Sequence, residues 1–231
     1  MGAWFPFVVF VALAAIFGYF GYRSWQQDQK RRRLLMMWAT NSGFSYAAED
    51  DSWCQRWNAT PFGEGDHRKA ENVITGTVAD KPFATFDYSY QTHSSDGKGG
   101  RTTTTHRYVV TSVQLPTFLP QLQVTPENLM TRLGNALGLD DIELESEDFN
   151  RRFRVHARDR KFACDVLTPR TMQLLLSRPA LSWRIDGSDI VAWEDDRLSP
   201  SVVLATTSQL REILDGIPSF VWHDLGGGGP A

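Results

Sequence analysis

The sequence predicts an α+β protein in which a single N-terminal transmembrane helix is followed by one globular domain, built from an antiparallel β meander and about three amphipathic helices. Three observations predict it. Ala3–Tyr22 contains no charged side chain. Phe86, Tyr88 and Tyr90 alternate along one stretch between two turn signals. Thr168-Pro169 and Ser199-Pro200 each stand before an apolar stripe of helical spacing.

At about 1.5 Å rise per residue, a helix over Ala3–Tyr22 matches a hydrocarbon core about 30 Å thick, and it pairs its own backbone groups there. Trp4 at one end and Tyr19, Tyr22 and Trp25 at the other stand where interfacial aromatics belong. Ala14 and Gly18 form a small-xxx-small pair that would let two such helices pack closely. Residues 23–33 hold Arg23, Lys30, Arg31, Arg32 and Arg33 against Asp28, net +4, so with a formal charge of −3 overall the chain from residue 34 onward carries −7. Basic residues after the apolar run, with no basic side chain before it, orient the N-terminus outside and the domain in the cytoplasm. The same five basic residues are expected to meet the membrane surface, anionic lipid included. The domains so defined are 1–33, anchor and basic juxtamembrane helix; 34–223, globular domain; and 224–231, flexible tail.

Within the domain, Asn41–Lys69 reads as loop, with Trp53 and Trp57 one helical turn apart. Asn72–Val78 and Pro82–Thr92 flank an Ala79-Asp80-Lys81 turn, and Thr102–Val113 returns after a glycine-rich tip, Ser94–Gly100, read as mobile. Thr125 and Pro126 start a helix that puts Leu129, Leu133, Ala136 and Leu137 on one face and stops at Gly138. Ile142–Glu145, Phe153–Ala157 and Phe162–Leu167 read as strands. Thr168-Pro169 starts a second helix, with Met172, Leu175 and Leu176 on a face and Pro179 as terminator. Asp186-Gly187 reads as a type I′ hairpin turn that pairs Trp183 with Ile190. The last helix runs from Ser199-Pro200 to about Asp215, burying Val203, Leu210, Ile213, Leu214 and Ile217.

The chemistry is sparse. An acidic domain argues against nucleic acid as a partner. Cys54 and Cys164 lie far apart with no metal-ligand spacing, and read as reduced thiols, with one disulfide left open. His67, among Glu64, Asp66 and Arg68, reads as a solvated loop residue. His93 and His106 flank the hairpin tip, but two histidines do not close a site, so neither a metal nor a cofactor is expected. Nothing resembling GxSxG, HExxH or a P-loop is present.

The segment Glu145–Leu176 carries Phe149-Asn150, Phe153, Val155, Asp159, Leu167-Thr168-Pro169, and Met172 with Leu175. In these residues it resembles a family of bacterial membrane-anchored proteins known only as a domain of unknown function and frequent in actinobacteria. The resemblance implies a membrane-tethered α+β module and no activity.

The expected function is therefore a membrane-tethered binding or scaffolding module at the cytoplasmic face, with lipid or a partner membrane protein as ligand. The alternatives are a membrane-bound hydrolase drawing on His106, His156, Asp87 and Asp159, or an accessory subunit of a larger membrane complex that uses Ala14, Gly18 and the tyrosine face as contacts.

Overall fold

The computed structural model describes residues 4–95, 100–127 and 140–226, with side chains of the first helix described at Phe10 and from Ala15 onward. Helix α1, Trp4–Asn41, is one element of 38 residues. It ends in a Schellman motif, because Gly43 supplies the left-handed residue at φ 75°. Phe44 N–H bonds the Ala39 carbonyl at 2.8 Å and Gly43 N–H the Thr40 carbonyl at 3.1 Å. The Phe44 ring then packs on Trp38, 5.7 Å between centroids, which pins the helix end to strand β1, Ser45–Glu49.

A seven-stranded sheet follows, antiparallel at every pairing, in the order β1-β2-β3-β4-β6-β5 with β7 on β4. Strand β4, Arg101–Pro126, is its spine. One edge pairs first with β3, Lys81–Ser95, and then with β6, Phe153–Ala157, while the other edge pairs with β7, Ser182–Glu194. Strand β2, Asp66–Val78, joins β3 through a two-residue turn in which Ala79 and Asp80 both take positive φ, 49° and 61°. Strand β5, Asp140–Asp141, closes the far edge.

Successive side chains point to opposite faces of the sheet, so two cores form. The larger gathers Leu35 and Ala39 of α1 with Val109, Val113 and Ile190, under helices α2 (Glu147–Arg152), α3 (Arg160–Val166), α4 (Pro169–Ser177), α5 (Pro200–Asp215) and α6 (Ser219–Gly226). The smaller is aromatic: Phe86, Tyr88, Tyr90 and Trp193 lie beneath a 3-10 turn at Asp51–Gln55 and the Trp57–Phe62 segment. The tyrosine face expected as a contact surface is thus interior, Tyr88 at 1% and Tyr90 at 3% exposed. Caps account for α4 and α5, where the Thr168 hydroxyl accepts from Thr171 N–H and the Ser199 hydroxyl from Val202 N–H.

Several expectations are corrected. Among the described residues no helix is long and apolar enough to cross a membrane. The expected anchor is the leading part of a helix that takes on charge from Arg23 and then enters the core at Leu35, so the boundary drawn after residue 33 falls inside α1. Phe162–Leu167 is mostly helical, because Asp159 caps α3 by accepting from Lys161 and Phe162 N–H. Asp186-Gly187 makes no hairpin: β7 runs straight through it, since Trp183 and Ile190 pair with Val124 and Val113 of the long β4. Most of the helix expected from Pro126 to Gly138, the hairpin tip at 96–99, the side chain of Ala14 and the tail from 227 lie outside the described residues.

Candidate functional site

The site begins with a bulge. Between the pairs Glu71–Asp87 and Ile74–Thr85, strand β2 gains one residue on β3, and Asn72 takes φ 53° at that point. Asparagine tolerates the left-handed region because its short amide bonds locally. Here its amide re-aims across the sheet: Nδ2 donates to Asp87 Oδ2 at 2.7 Å, and Oδ1 accepts from Tyr46 OH at 2.9 Å. Burial, the largest influence, pushes the Tyr46 hydroxyl above its ordinary pKa.

Asp87 collects donors from three elements. Arg31 of α1 gives Nη2 to Oδ2 at 2.9 Å and Nη1 to Oδ1 at 3.3 Å, and the Leu198 N–H reaches Oδ1 at 3.1 Å. One helical position further, Arg32 Nη2 bonds Glu71 Oε1 at 2.6 Å. Two of the five basic residues expected at a membrane surface thus bind the sheet, while Arg23, Lys30 and Arg33 are exposed. The physical cause is the i, i+1 spacing at the edge of a half-buried helix, which aims both side chains at neighbouring carboxylates of paired strands.

Between α1 and β3–β4 this leaves a cleft of about 930 Å³. Four arginines (Arg31, Arg32, Arg107, Arg197) and five carboxylates (Asp28, Glu71, Asp87, Asp195, Asp196) line it, with hydroxyls from Ser24, Ser89, Thr104 and Thr105. The near balance of charge makes it a poor trap for a bare anion and a good one for a neutral, hydroxyl-rich group, which alternating donors and acceptors satisfy. His106 contributes to the rim of the cleft, while its ring turns to the opposite face of the sheet, stacked 4.7 Å from Tyr90 and 2.9 Å from the Thr92 hydroxyl.

The four residues of the hydrolase alternative do not converge. Asp87 and His106 both line the cleft, but the register puts their side chains on opposite faces of the sheet, and the Asp87 oxygens are filled by Arg31, Asn72 and Leu198. His156 lies at the other end of β4, opposite Gln123 and 4.0 Å from Asp141, and Asp159 is spent on the α3 cap. A Cβ on Gly18 would meet nothing within 4 Å, so its face of α1 is open. The sequence reading did not reveal the Arg31–Asp87–Asn72–Tyr46 chain, although an asparagine in a strand is a signal for such a bulge. Nor did it reveal Arg184, fully buried in the aromatic core. That guanidinium bonds the Thr60 and Ala59 carbonyls and lies over the Phe62 and Trp193 rings at 5.7 and 5.6 Å.

No family model matches the sequence, and no curated protein does. The fold is similar to that of a crystal structure, the mycobacterial trehalose monomycolate transport factor A, TtfA, with a TM-score of 0.57 at 14% sequence identity, over 81% of this chain and 96% of that one. At that identity the likeness is one of fold.

Proposed function

We propose that this protein is an accessory factor in lipid transport that associates with a membrane through the leading part of α1. The observation that carries the reading is the apolar surface of that helix. Phe10, Ile16, Phe17, Tyr19, Phe20, Tyr22 and Trp25 are each at least half exposed, up to 74% at Phe17, and they point around the helix rather than along one stripe. At about 25 cal/mol per Å² an aromatic surface of this extent is costly in water, and a lipid phase removes the cost. The aromatic residues that close the run, Tyr22 and Trp25, suit the level of headgroups. Ser24, between them, and Asp28, beyond Trp25, line the hydroxyl-rich cleft. An apolar segment that leads directly into a polar, charge-balanced cleft suits a factor that meets a lipid with a large hydroxylated headgroup. The fold shared with a transport factor for such a lipid supports the same reading.

Flotation on liposomes tests it. The full chain should float with vesicles, and Phe17→Ser with Phe20→Ser should lower the bound fraction about tenfold without changing the melting temperature of the domain. Equal flotation of both proteins would overturn the reading.

A further inference from the structure

Strand β2 contains a second bulge. Between the pairs Asp66–Gln91 and Lys69–Ser89 it again gains one residue on β3, and the residue at its centre, His67, has φ 49°. Bulges of this kind ordinarily place glycine in the left-handed region. Glycine is available next door: Gly65, at φ 61°, lies so close to β3 that a Cβ there would meet the Gln91 carbonyl oxygen at 2.2 Å. The chain is therefore pressed onto β3, and an imidazole is carried through the strained position that follows.

The result is a cluster. One ligand atom from each of Asp66, His67 and His93 lies within 4.8 Å of the others. Asp66 Oδ1 is 3.2 Å from His67 Nδ1, and Asp66 Oδ2 is 3.1 Å from His93 Nε2. The remaining nitrogen of His93, Nδ1, lies 2.9 Å from the Thr103 hydroxyl on β4. That contact fixes the ring with Nε2 turned to Asp66, which is how metal-binding histidines are commonly oriented.

We propose that Asp66, His67 and His93 bind a divalent transition-metal ion, zinc in the first instance, with water completing its coordination. Donor atoms placed about 2.0–2.2 Å from a tetrahedral ion are themselves about 3.3–3.6 Å apart, and the ligand atoms here lie within 4.8 Å of one another, so an ion draws exposed side chains together by roughly 1.5 Å at most. Two imidazoles and one carboxylate favour zinc or copper over magnesium or calcium, which prefer an all-oxygen shell. The side chains are 50%, 70% and 24% exposed for Asp66, His67 and His93, so water has access and the site is open rather than sealed. His93 and His106, which flank the hairpin tip, do not meet, because the register sets them opposite Thr103 and Tyr90, three positions apart and on opposite faces. His67 and Asp66, from a neighbouring strand, supply the partners instead. Bound metal would staple β2 to β3, and it is independent of the lipid reading.

Isothermal titration of zinc into the tag-free full chain tests this. One ion per chain is expected. His67→Asn, which keeps a residue tolerant of positive φ, and His93→Gln should each weaken binding at least tenfold while leaving the zinc-free melting temperature unchanged. Copper(II) should give an electron paramagnetic resonance signal with nitrogen coupling that is altered in both variants. Absence of stoichiometric binding to the parent chain, or binding equally tight in both variants, would overturn the proposal.

Discussion

Arg56 meets Asp189 through two parallel hydrogen bonds, Nε to Oδ2 and Nη2 to Oδ1, both 2.9 Å, with its guanidinium 5.2 Å from the Trp53 ring. A residue of the segment that covers the aromatic core is thereby fastened to β7. The Asp189 side chain is 8% exposed, so the two hydrogen bonds lie largely out of water. Arg56→Lys keeps the charge but loses the fork and the stack, and is expected to cost about 1–2 kcal/mol. Arg56→Met leaves the carboxylate buried and unpaired, and is expected to cost about 3 kcal/mol. Urea denaturation of both variants checks the order.

The half-buried pairs made by α1 place the start of the cooperative unit before residue 34. A fragment of residues 27–231 keeps Arg31 on Asp87 and Arg32 on Glu71, whereas 34–231 loses both. The shorter fragment is expected to be less stable by about 3 kcal/mol, since Asp87 is left with Asn72 and one backbone donor. Thermal melts of the two fragments decide this. Coincident transitions would show that residues 27–33 contribute nothing to the stability of the domain.

Glu194 accepts from the Thr206 hydroxyl at 2.7 Å, yet burial, the largest influence, raises its pKa above the ordinary value of 4.5. A carboxyl raised in the folded state is favoured when protonated. Its contribution to stability is therefore present below the unfolded value and is lost as pH rises through the folded one. Glu194→Gln retains an acceptor for Thr206 without the desolvated charge. The variant should melt higher than the parent at pH 7.5, and the gain should shrink toward pH 4.5. A constant difference across that range would show that the charge is not the cause.

Cys54 is buried and Cys164 exposed, and neither is in a disulfide. Burial, helped by Asp51, pushes the Cys54 thiol up to about 11. At pH 8 a thiol reagent such as DTNB should react with one equivalent quickly, and Cys164→Ser should abolish that phase, leaving Cys54 to react only on unfolding. Two fast equivalents in the native parent would mean that the 3-10 turn opens readily.

Local chemistry was legible in the sequence at several elements, though not at α3, where the Asp159 cap makes a helix of an expected strand. Thr168-Pro169 and Ser199-Pro200 announce α4 and α5 because a hydroxyl caps the N–H groups three positions on. The alternation of Phe86, Tyr88 and Tyr90 announces a buried strand face because side chains repeat every second residue. What only the tertiary structure decided are the relationships across long separations. The turn signal at Asp186-Gly187 yields to β4, whose length gives β7 partners before and after it, and leaves only a register irregularity where Gly187 faces Leu119. The arginines of the basic helix find Asp87 and Glu71 only after β2 and β3 pair. Asp66, His67 and His93 meet for the same reason. The positions of bulges and the partners of charges depend on which strands lie side by side, and hydrophobic period and capping do not encode that pairing.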